Sequence, residues 1–333
     1  MSDFDFICVS GYGKSGSGAC VDVLKEFEFI GGLDKEFRIS KDPFGLLDLE
    51  ASIIDNWEFV RHNVAINDFL KYCSMLSRKD GVFKKVGKNF SDLLYVDFMH
   101  ESLEYIDRIN DFSYLGDSLL NRYRLNAVQS FKQRVRSKFN LNNSTPMYFA
   151  RPSREKFIIE TRGYLKRIFK NYAHNKNISS IVLDQAAPPI NFKKTLEYFD
   201  NAKLIIIDRD PRDIYATMIN EGRLLGADAI NDDSADKYIA WHNSVRKQVP
   251  SGIDDTFMQD NVLRLNFEDF FTRYEETLEK IQEFLNIDVS HKYKNTRFKY
   301  KNIDKHVGIW KHISNQNIMS RINEELESYC FSE

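Results

Sequence analysis

The sequence has few cysteines, no excess charge of either sign and no long hydrophobic run. Cys8, Cys20, Cys73 and Cys330 lie far apart without a C-x-x-C pair, which argues against a zinc site or a disulfide framework and favours a reducing compartment. The 47 basic and 49 acidic residues give a net charge of −2, so no global field attracts nucleic acid or an anionic membrane. Any anion site must therefore be local.

No run comes close to the roughly 20 apolar residues of a membrane span, and the N-terminus lacks the flanks of a signal peptide. We therefore expect no integral membrane association, no nucleic-acid partner and a cytoplasmic location. With 333 residues, the chain is long enough for one large α/β domain or two small ones, and either would bury a sizeable core.

A glycine-rich segment follows directly after the first apolar run. The run Phe4–Val9 is predicted to be a buried strand, and residues 19–29 follow with helical spacing. Between them, Ser10–Gly18 reads SGYGKSGSG. Glycines let the backbone approach an anion, N–H groups at a helix start point toward it, and a lysine adds positive charge. The predicted phosphate cradle consists of Gly13, Lys14, Ser15, Gly16, Ser17 and Gly18.

This loop departs from the nucleotide-binding motif G-x-x-x-x-G-K-[ST]. Gly13–Ser15 supplies its last three positions, but the leading glycine would fall at Cys8, inside the strand, while extra small residues follow at Gly16–Gly18. The loop resembles the 5′-phosphosulfate loop of sulfotransferases, enzymes that use 3′-phosphoadenosine 5′-phosphosulfate (PAPS). The alternative is an ordinary glycine-rich turn.

A second candidate anion site follows the apolar run Leu204–Ile207. Arg209 and Thr217 are eight residues apart, a spacing that resembles the 3′-phosphate site of sulfotransferases, where an arginine ends a strand and a serine lies on the next helix. A forked guanidinium and a hydroxyl can converge on one phosphate. The alternative is a capped surface helix in which Arg212 and Asp213 form ion pairs.

The segment from 307 to 311, VGIWK, resembles the "VGRWK" closing loop of bacterial and tyrosyl-protein sulfotransferases. In that family, glycine and basic residues of this loop cover the adenosine bisphosphate. Ile309 replaces the usual arginine, so nearby lysines are expected to stand in for it. The residues that the resemblance implies are Lys305, Gly308, Trp310 and Lys311. Val262–Phe270 is similar to the family's "LRYEDL" segment and is predicted to be structural.

The resemblance also implies catalytic roles. Sulfuryl transfer moves an SO₃ group in line and depends on positioning and charge stabilisation, for which Lys14 is the candidate. The acceptor needs a base, which in the heparan-type branch is a glutamate where the second strand begins, and Glu36 occupies that place. Cytosolic sulfotransferases use a histidine instead, so His62 and His100 stay open as alternatives. Glu36 has the alternative role of an exposed carboxylate paired with a neighbouring cation.

Strand and helix patterns alternate in the first 50 residues and again from about 175 to 330, which predicts an α/β fold with a parallel, doubly wound sheet. The resemblance implies that this sheet is of the P-loop type and flanked by helices. A second extended run is predicted around Glu36–Ile39. From about Ile53 to Phe139 the pattern is helical without a strand signal, and we predict a single domain of residues 1–333 with a helical insertion at about 55–175 on the acceptor side.

The resemblance implies transfer of a sulfuryl group from PAPS to a hydroxyl or amine, without a metal, leaving adenosine 3′,5′-bisphosphate. The expected acceptor is a bacterial glycan or glycolipid, because aromatic side chains in the insertion could stack on sugars and the basic residues of 132–138 could hold an acidic acceptor. A solvated helix face is the alternative for the basic cluster. Golgi sulfotransferases carry a membrane anchor that is not seen here, which favours a bacterial protein.

Two other functions remain open at this point. A P-loop kinase would use ATP and magnesium, with Asp184 or Asp208 at the end of an apolar strand as the metal ligand. A nucleotide-binding protein without turnover would keep the loop and lose the base. The missing leading glycine and the Arg209–Thr217 pair favour the sulfotransferase interpretation over the kinase.

Overall fold

The computed structural model describes residues 4–81, 87–116, 127–139, 144–222, 232–247, 255–288, 298 and 306–332. The chain divides into two compact units. The sheet unit consists of Met1–Arg38 and Ala173–Glu333, and the helical unit is Ile39–Tyr172. The division into two compact units does not test the prediction of a single domain with a helical insertion at about 55–175, which stays a prediction.

In chain order, the described strands are β1 Asp5–Gly11, β2 Ile30–Gly32, β3 Phe112–Gly116, β4 Thr145–Phe149, β5 Ser180–Asp184, β6 Ala202–Asp208 and β7 Val262–Asn266. The described α-helices are α1 Ser17–Leu24, α2 Leu46–Glu50, α3 Phe59–Ser77, α4 Phe90–Leu94, α5 Phe98–Ile109, α6 Ala127–Lys138, α7 Arg154–Lys176, α8 Phe192–Leu196, α9 Pro211–Asn220, α10 Asp232–Lys247, α11 Asp255–Asn261, α12 Asp269–Thr272, α13 Tyr274–Leu285 and α14 Gln316–Glu325. A π-helical turn covers Ala51–Asp55, and 3₁₀ turns cover Ile309–His312 and Glu327–Tyr329.

The sheet unit is built on a parallel sheet with the strand order β2-β5-β1-β6-β7. Its central strands are continuous apolar runs because helices cover the sheet. The strand order changes direction around β1, and ligands of open α/β sheets bind at such a point beyond the carboxyl ends of the strands. The predicted α/β class, with a parallel sheet flanked by helices, is confirmed.

Two apolar clusters hold the sheet unit together. In one cluster, Val21 and Phe27 from the α1 region pack with Ile205 and Ile207 of β6 and with Ile281 of α13. In the other, α9, α10 and α14 pack against one another, and its buried members include Tyr215, Tyr238 and Ile322. Burial of side chains of this size contributes about 1.5–3 kcal/mol each relative to exposure, so the elements that carry the candidate site are firmly fixed.

The second strand differs from the prediction at Glu36–Ile39. The strand that pairs with β5 is Ile30–Gly32, and Glu36–Ile39 is irregular. A Cβ atom at Gly32 would lie 2.5 Å from the carbonyl oxygen of Val182 on β5, so the close approach of the strands requires glycine, although glycine is typical of turns. The preceding helix, predicted over 19–29, ends at Leu24.

The helical unit has its own core, formed by α3, α5 and α7. The rings of Tyr105 and Tyr164 are stacked with centroids 4.8 Å apart, and their hydroxyl groups bond with Thr161 at 2.8 Å and Ser102 at 2.9 Å. This unit also contains an antiparallel pair, β3 with β4, where the prediction of an uninterrupted helical segment to Phe139 was wrong. Among the described helices, none combines the length and the apolar character needed to cross a bilayer.

Candidate active site

The predicted phosphate cradle connects β1 to α1. Its backbone is left-handed at Gly13 with φ of 76°, at Lys14 with φ of 56° and at Gly16 with φ of 85°. Left-handed backbone conformation costs a lysine about 1–2 kcal/mol. Successive N–H groups of right-handed and left-handed residues form the concave nests that bind anions. The hydroxyl of Ser15 accepts the N–H of Tyr12 at 3.2 Å, which fixes the curve of the loop.

Two glycines of the cradle have different surroundings. A Cβ atom at Gly16 would lie 2.2 Å from the ring of Phe267, so this position requires glycine for its packing as well as for its backbone. At Gly18, in the first turn of α1, a Cβ atom would meet no atom within 4 Å. The start of α1 therefore borders open space, where its N–H groups and partial positive charge favour an anion.

Arg209 follows β6 and ties the loop to the C-terminal segment. Its Nη1 donates to the carbonyl oxygen of Lys14 and its Nη2 to that of His306, both at 2.8 Å. The guanidinium lies over the ring of Phe267, 4.6 Å from the centroid. Only 6% of the residue is exposed, and burial lowers the pKa of the guanidinium although nearby carboxylates oppose the shift. The structure thus brings the two predicted anion sites together.

The third nitrogen of Arg209, Nε, is buried without a hydrogen-bond partner in the described part of the chain. A buried charged donor without an acceptor costs about 1–3 kcal/mol or more. An acceptor such as a phosphate oxygen would recover that free energy through a charge-assisted hydrogen bond. The residues present at this point therefore suit a phosphate group.

Helix α9 brings several predicted residues to one place. The Asp210 carboxylate caps its N-terminus, and the hydroxyl of Thr217 donates to the carbonyl oxygen of Asp213 at 2.8 Å. The Asp213 carboxylate accepts the N–H groups of Gly308 at 2.7 Å and Trp310 at 3.0 Å. Burial raises the pKa of Asp213, and these two N–H groups oppose the shift. The "VGIWK" segment is thereby fixed to the helix that carries Thr217.

Lys14 forms an ion pair with Glu221, which directly follows α9. The side chains are 31% and 40% exposed, so the pair is accessible to solvent. Thr217, on α9, lies one helical turn before Glu221. No local sequence pattern indicated Glu221, because its partner is 207 residues away along the chain.

Glu36 lines a cavity of about 280 Å³ together with Gly18 and Asp184. The predicted base and the open end of the phosphate loop therefore border the same space. The Glu36 carboxylate also lies 3.6 Å from Nη1 of Arg38, so the pairing with a neighbouring cation is present as well. The role of Glu36 as a base stays a prediction.

The two histidine alternatives lie in the helical unit. His62 is buried, and its Nδ1 and Nε2 lie 2.9 and 3.0 Å from the carbonyl oxygens of Glu58 and Tyr148. Its ring also stacks on Trp57, with centroids 5.3 Å apart, so its contacts are those of a structural residue. His100 is exposed and lies 3.2 Å from Glu104, one helical turn away.

Of the predicted cover residues, Lys305 lies outside the described residues. Gly308 is left-handed with φ of 71°, as the turn into Ile309–His312 requires. Two cations lie over the Trp310 ring, Arg212 at 4.4 Å and Lys311 at 5.9 Å from its centroid. Because Arg212 belongs to α9, its contact helps to hold the indole beside that helix.

Glu268 contacts Asp210 at the start of α9, although the sequence pattern predicted only a structural role for its segment, Val262–Phe270. It is 1% exposed, and its Oε1 accepts the N–H of Asp210 at 2.9 Å. Its Oε2 is buried without a partner in the described ranges. Burial raises the pKa of Glu268 to about 7, a shift that Arg209 opposes. The carboxyl group therefore titrates near neutral pH next to the predicted phosphate contact.

Asp208, a candidate magnesium ligand in the kinase interpretation, accepts hydrogen bonds from two arginines. Arg246 donates to it at 2.6 Å and Arg264 at 2.9 Å. Arg264 also donates to the hydroxyl of Tyr12 at 2.9 Å. This network fixes the carboxyl end of β6 against the start of the phosphate loop. Across the described ranges, no group of three or more acidic, histidine or cysteine side chains is arranged to hold a metal ion.

Fold and site together define an α/β protein with the predicted phosphate loop after the central strand of its parallel sheet. Residues 88–291 match the model of the sulfotransferase family. Because this match covers more than half of the chain, the chain belongs to that family. Sulfuryl transfer is the reaction that this family carries. The matched range contains Arg209 and Thr217 and begins after the phosphate loop.

Three solved structures are similar to the chain. The sulfotransferase domain from the curacin biosynthetic pathway has 12% identity, 99% of each chain covered and a TM-score of 0.41. The sulfotransferase domain from the Synechococcus PCC 7002 olefin synthase has 13% identity, 100% of this chain and 97% of that chain covered, and a TM-score of 0.39. Sulfotransferase STF9 from Mycobacterium avium has 12% identity, with 100% of this chain and 78% of that chain covered, and a TM-score of 0.38. No curated protein sequence matches the chain.

Proposed function

We propose that the chain transfers a sulfuryl group from PAPS to a hydroxyl or amine of an acceptor. The observation that carries this proposal is the bond from Arg209 to the main chain of Lys14. It joins a predicted phosphosulfate loop to a predicted 3′-phosphate contact, and ATP has no 3′-phosphate that would use the second. When bound, PAPS supplies the sulfuryl group and leaves as adenosine 3′,5′-bisphosphate.

The loop of residues 13–18 is the part that would hold the phosphosulfate. The Ser15 hydroxyl accepts from Tyr12, and the Ser17 hydroxyl accepts from Nε2 of Gln185 at 3.0 Å. A hydroxyl that accepts in this way still has its own proton to donate. Both serines can therefore donate to an anion, together with the N–H groups at the start of α1.

Lys14 would stabilise the negative charge that develops on the leaving oxygen. To do so, its ammonium must leave the Glu221 carboxylate and bind PAPS. An exposed ion pair of this kind contributes only about 0.2–1 kcal/mol, so the cost of breaking it is small. Arg209 would bind the 3′-phosphate through its unpartnered Nε. Thr217 would assist if its hydroxyl turned from the carbonyl oxygen of Asp213. The residues that would cover the bound nucleotide are Lys305, Gly308, Trp310 and Lys311.

Glu36 is proposed as the base that takes the proton of the acceptor, because its cavity is shared with Gly18 of the loop. The roles of Lys14 and Glu36 require no metal ion. We propose that the acceptor is a bacterial glycan or glycolipid. We also propose that the reaction takes place in the cytoplasm.

Transfer of radiolabelled sulfate from PAPS to a panel of saccharide, lipid and phenol acceptors tests the proposal. We expect label in one acceptor class and its loss in Lys14→Ala. A panel without any transfer, from protein that binds adenosine 3′,5′-bisphosphate, would indicate a binding protein without turnover. Label transferred from the γ-phosphate of ATP in the presence of magnesium would replace the proposal with a kinase.

A further inference from the structure

Helix α6 in the helical unit exposes its apolar side chains to solvent. None of its residues is buried, and the exposed fractions are 64% for Val128, 67% for Phe131 and 37% for Val135. Phe139, directly after the helix, is 69% exposed. At 3.6 residues per turn, these four positions fall within an arc of about 80°. They form a continuous apolar stripe along α6.

Cations flank this stripe on both sides. The same helical spacing places Lys132 and Arg136 along one edge, and Arg134 and Lys138 along the other. The opposite side of the helix carries uncharged polar residues, which are Gln129, Ser130, Gln133 and Ser137. No acidic residue occurs between 127 and 139. In a protein with a net charge of −2, this helix is a local concentration of positive charge.

The burial of α6 is the reverse of that of an ordinary surface helix. Ser130 and Gln133, on the polar side, are the half-buried positions, whereas Phe131 and Val128 on the apolar side are exposed. A surface helix of a globular protein turns its apolar side to the core. In α6, the apolar side is instead the exposed one.

The helical unit has further exposed apolar side chains on β3. Along the chain, β3 precedes and β4 follows the segment that contains α6. Phe112 and Leu115 of β3 are 54% and 70% exposed. The four side chains of the α6 stripe lie on one side of one helix, and exposed apolar side chains gathered in this way mark an interaction surface more often than isolated ones do.

We propose that α6 docks on an anionic membrane surface. An apolar stripe with lysine and arginine along its edges is the pattern of helices that lie in the membrane interface, with the apolar side at the acyl boundary and the cations at lipid phosphates. A second copy of the chain is the less suitable partner, because two α6 helices facing each other would bring their cations together. The proposal concerns peripheral binding and does not rest on sulfuryl transfer.

Co-sedimentation of the full chain with vesicles tests the proposal. One set of vesicles contains phosphatidylcholine alone, and the other contains phosphatidylcholine with phosphatidylglycerol. We expect binding to the anionic set, weakened by added salt, and little binding to the neutral set. Phe131→Gln should lower the partition coefficient about tenfold or more. Lys132→Gln and Arg136→Gln should each lower it about fivefold.

The matched control is Ile159→Gln on α7. Ile159 is 57% exposed in the same unit but lies on α7, outside the apolar stripe of α6, so its replacement should leave vesicle binding unchanged. Equal thermal midpoints of Phe131→Gln and Ile159→Gln would show that both variants fold. The proposal is overturned if the wild type does not bind phosphatidylglycerol vesicles at low salt, or if Phe131→Gln binds them as Ile159→Gln and the wild type do. A dimer in sedimentation analysis that Phe131→Gln dissociates, without vesicle binding, would assign the stripe to self-association instead.

Discussion

The ammonium group of Lys14 and the carboxylate of Glu221 form an ion pair at the mouth of the phosphate loop. The lysine lies at a left-handed position of the loop and the glutamate at the end of α9. In this arrangement, the residue with the proposed role of charge stabiliser is paired with a carboxylate of its own chain. An anionic donor bound by Lys14 would compete with Glu221 for the same ammonium.

Glu221→Gln should therefore tighten the binding of adenosine 3′,5′-bisphosphate. Removal of an exposed carboxylate partner is worth about 0.2–1 kcal/mol, which corresponds to an increase in affinity of up to about fivefold. Isothermal titration measures the change. Glu324→Gln, an exposed glutamate of α14, is the control and should bind as the wild type does. Weaker binding by Glu221→Gln would show that Glu221 positions Lys14 and does not compete for it.

Arg209→Ala should weaken the binding of adenosine 3′,5′-bisphosphate more than that of adenosine 5′-monophosphate. A charge-assisted contact with the 3′-phosphate is worth about 1.5–3 kcal/mol, or roughly tenfold to over a hundredfold in affinity. Arg209 also holds the loop through Lys14, and loss of that bond alone would weaken both ligands equally. Titration of both ligands thus separates the two roles, and equal losses would contradict a 3′-phosphate contact.

Glu36→Gln should lower kcat at least about a hundredfold, the usual contribution of a general base, with adenosine 3′,5′-bisphosphate affinity unchanged. Steady-state sulfate transfer and titration give the two quantities. Asp34→Asn is the matched control, because Asp34 lines the same cavity and pairs with Lys25. Full turnover by Glu36→Gln would assign the role of base to another group, for which His62 and His100 are the alternatives from the sequence.

Glu268 should make the stability of the sheet unit depend on pH near neutrality. Its pKa is about 7 in the folded protein against an ordinary value of 4.5. The stability contributed by the protonated carboxyl group is complete below pH 4.5 and is lost as the pH rises through about 7, by on the order of 3 kcal/mol.

Glu268→Gln cannot lose this proton, so the variant should gain stability relative to the wild type between pH 5 and pH 8. Thermal midpoints of both proteins across this range give the difference. Comparison with the variant is needed because buried His242, with a pKa lowered to about 3 by its burial, acts in the opposite direction in both proteins. A constant difference between the two midpoints would contradict the shifted pKa.

Local patterns predicted the central part of the fold and of the site. The strand β1, the glycine loop and the start of α1 follow one another within 20 residues, and Arg209 follows an unbroken apolar run. Each of these features depends on the spacing of neighbours along the chain. The sequence predicted Lys14 and Arg209 as contacts of one ligand, but it did not predict the hydrogen bond from Arg209 to the carbonyl oxygen of Lys14.

The parts that the sequence did not predict depend on contacts between distant residues. β2 contains glycines that a local pattern assigns to a turn, and only the proximity of Val182 explains them. The pairing of β3 with β4 spans the segment that contains α6. Glu221 and Glu268 are ordinary glutamates in sequence, and their roles arise from Lys14 and from burial beside Asp210.

We propose that the loop of residues 13–18 and Arg209 together bind a donor with a 3′-phosphate. Isothermal titration with adenosine 3′,5′-bisphosphate and with ATP, each with and without magnesium, tests it most directly. The expected result is tight binding of adenosine 3′,5′-bisphosphate that is independent of magnesium, and weak binding of ATP. Equal affinity for the two nucleotides, or ATP binding that requires magnesium, would show that the site does not select a 3′-phosphate.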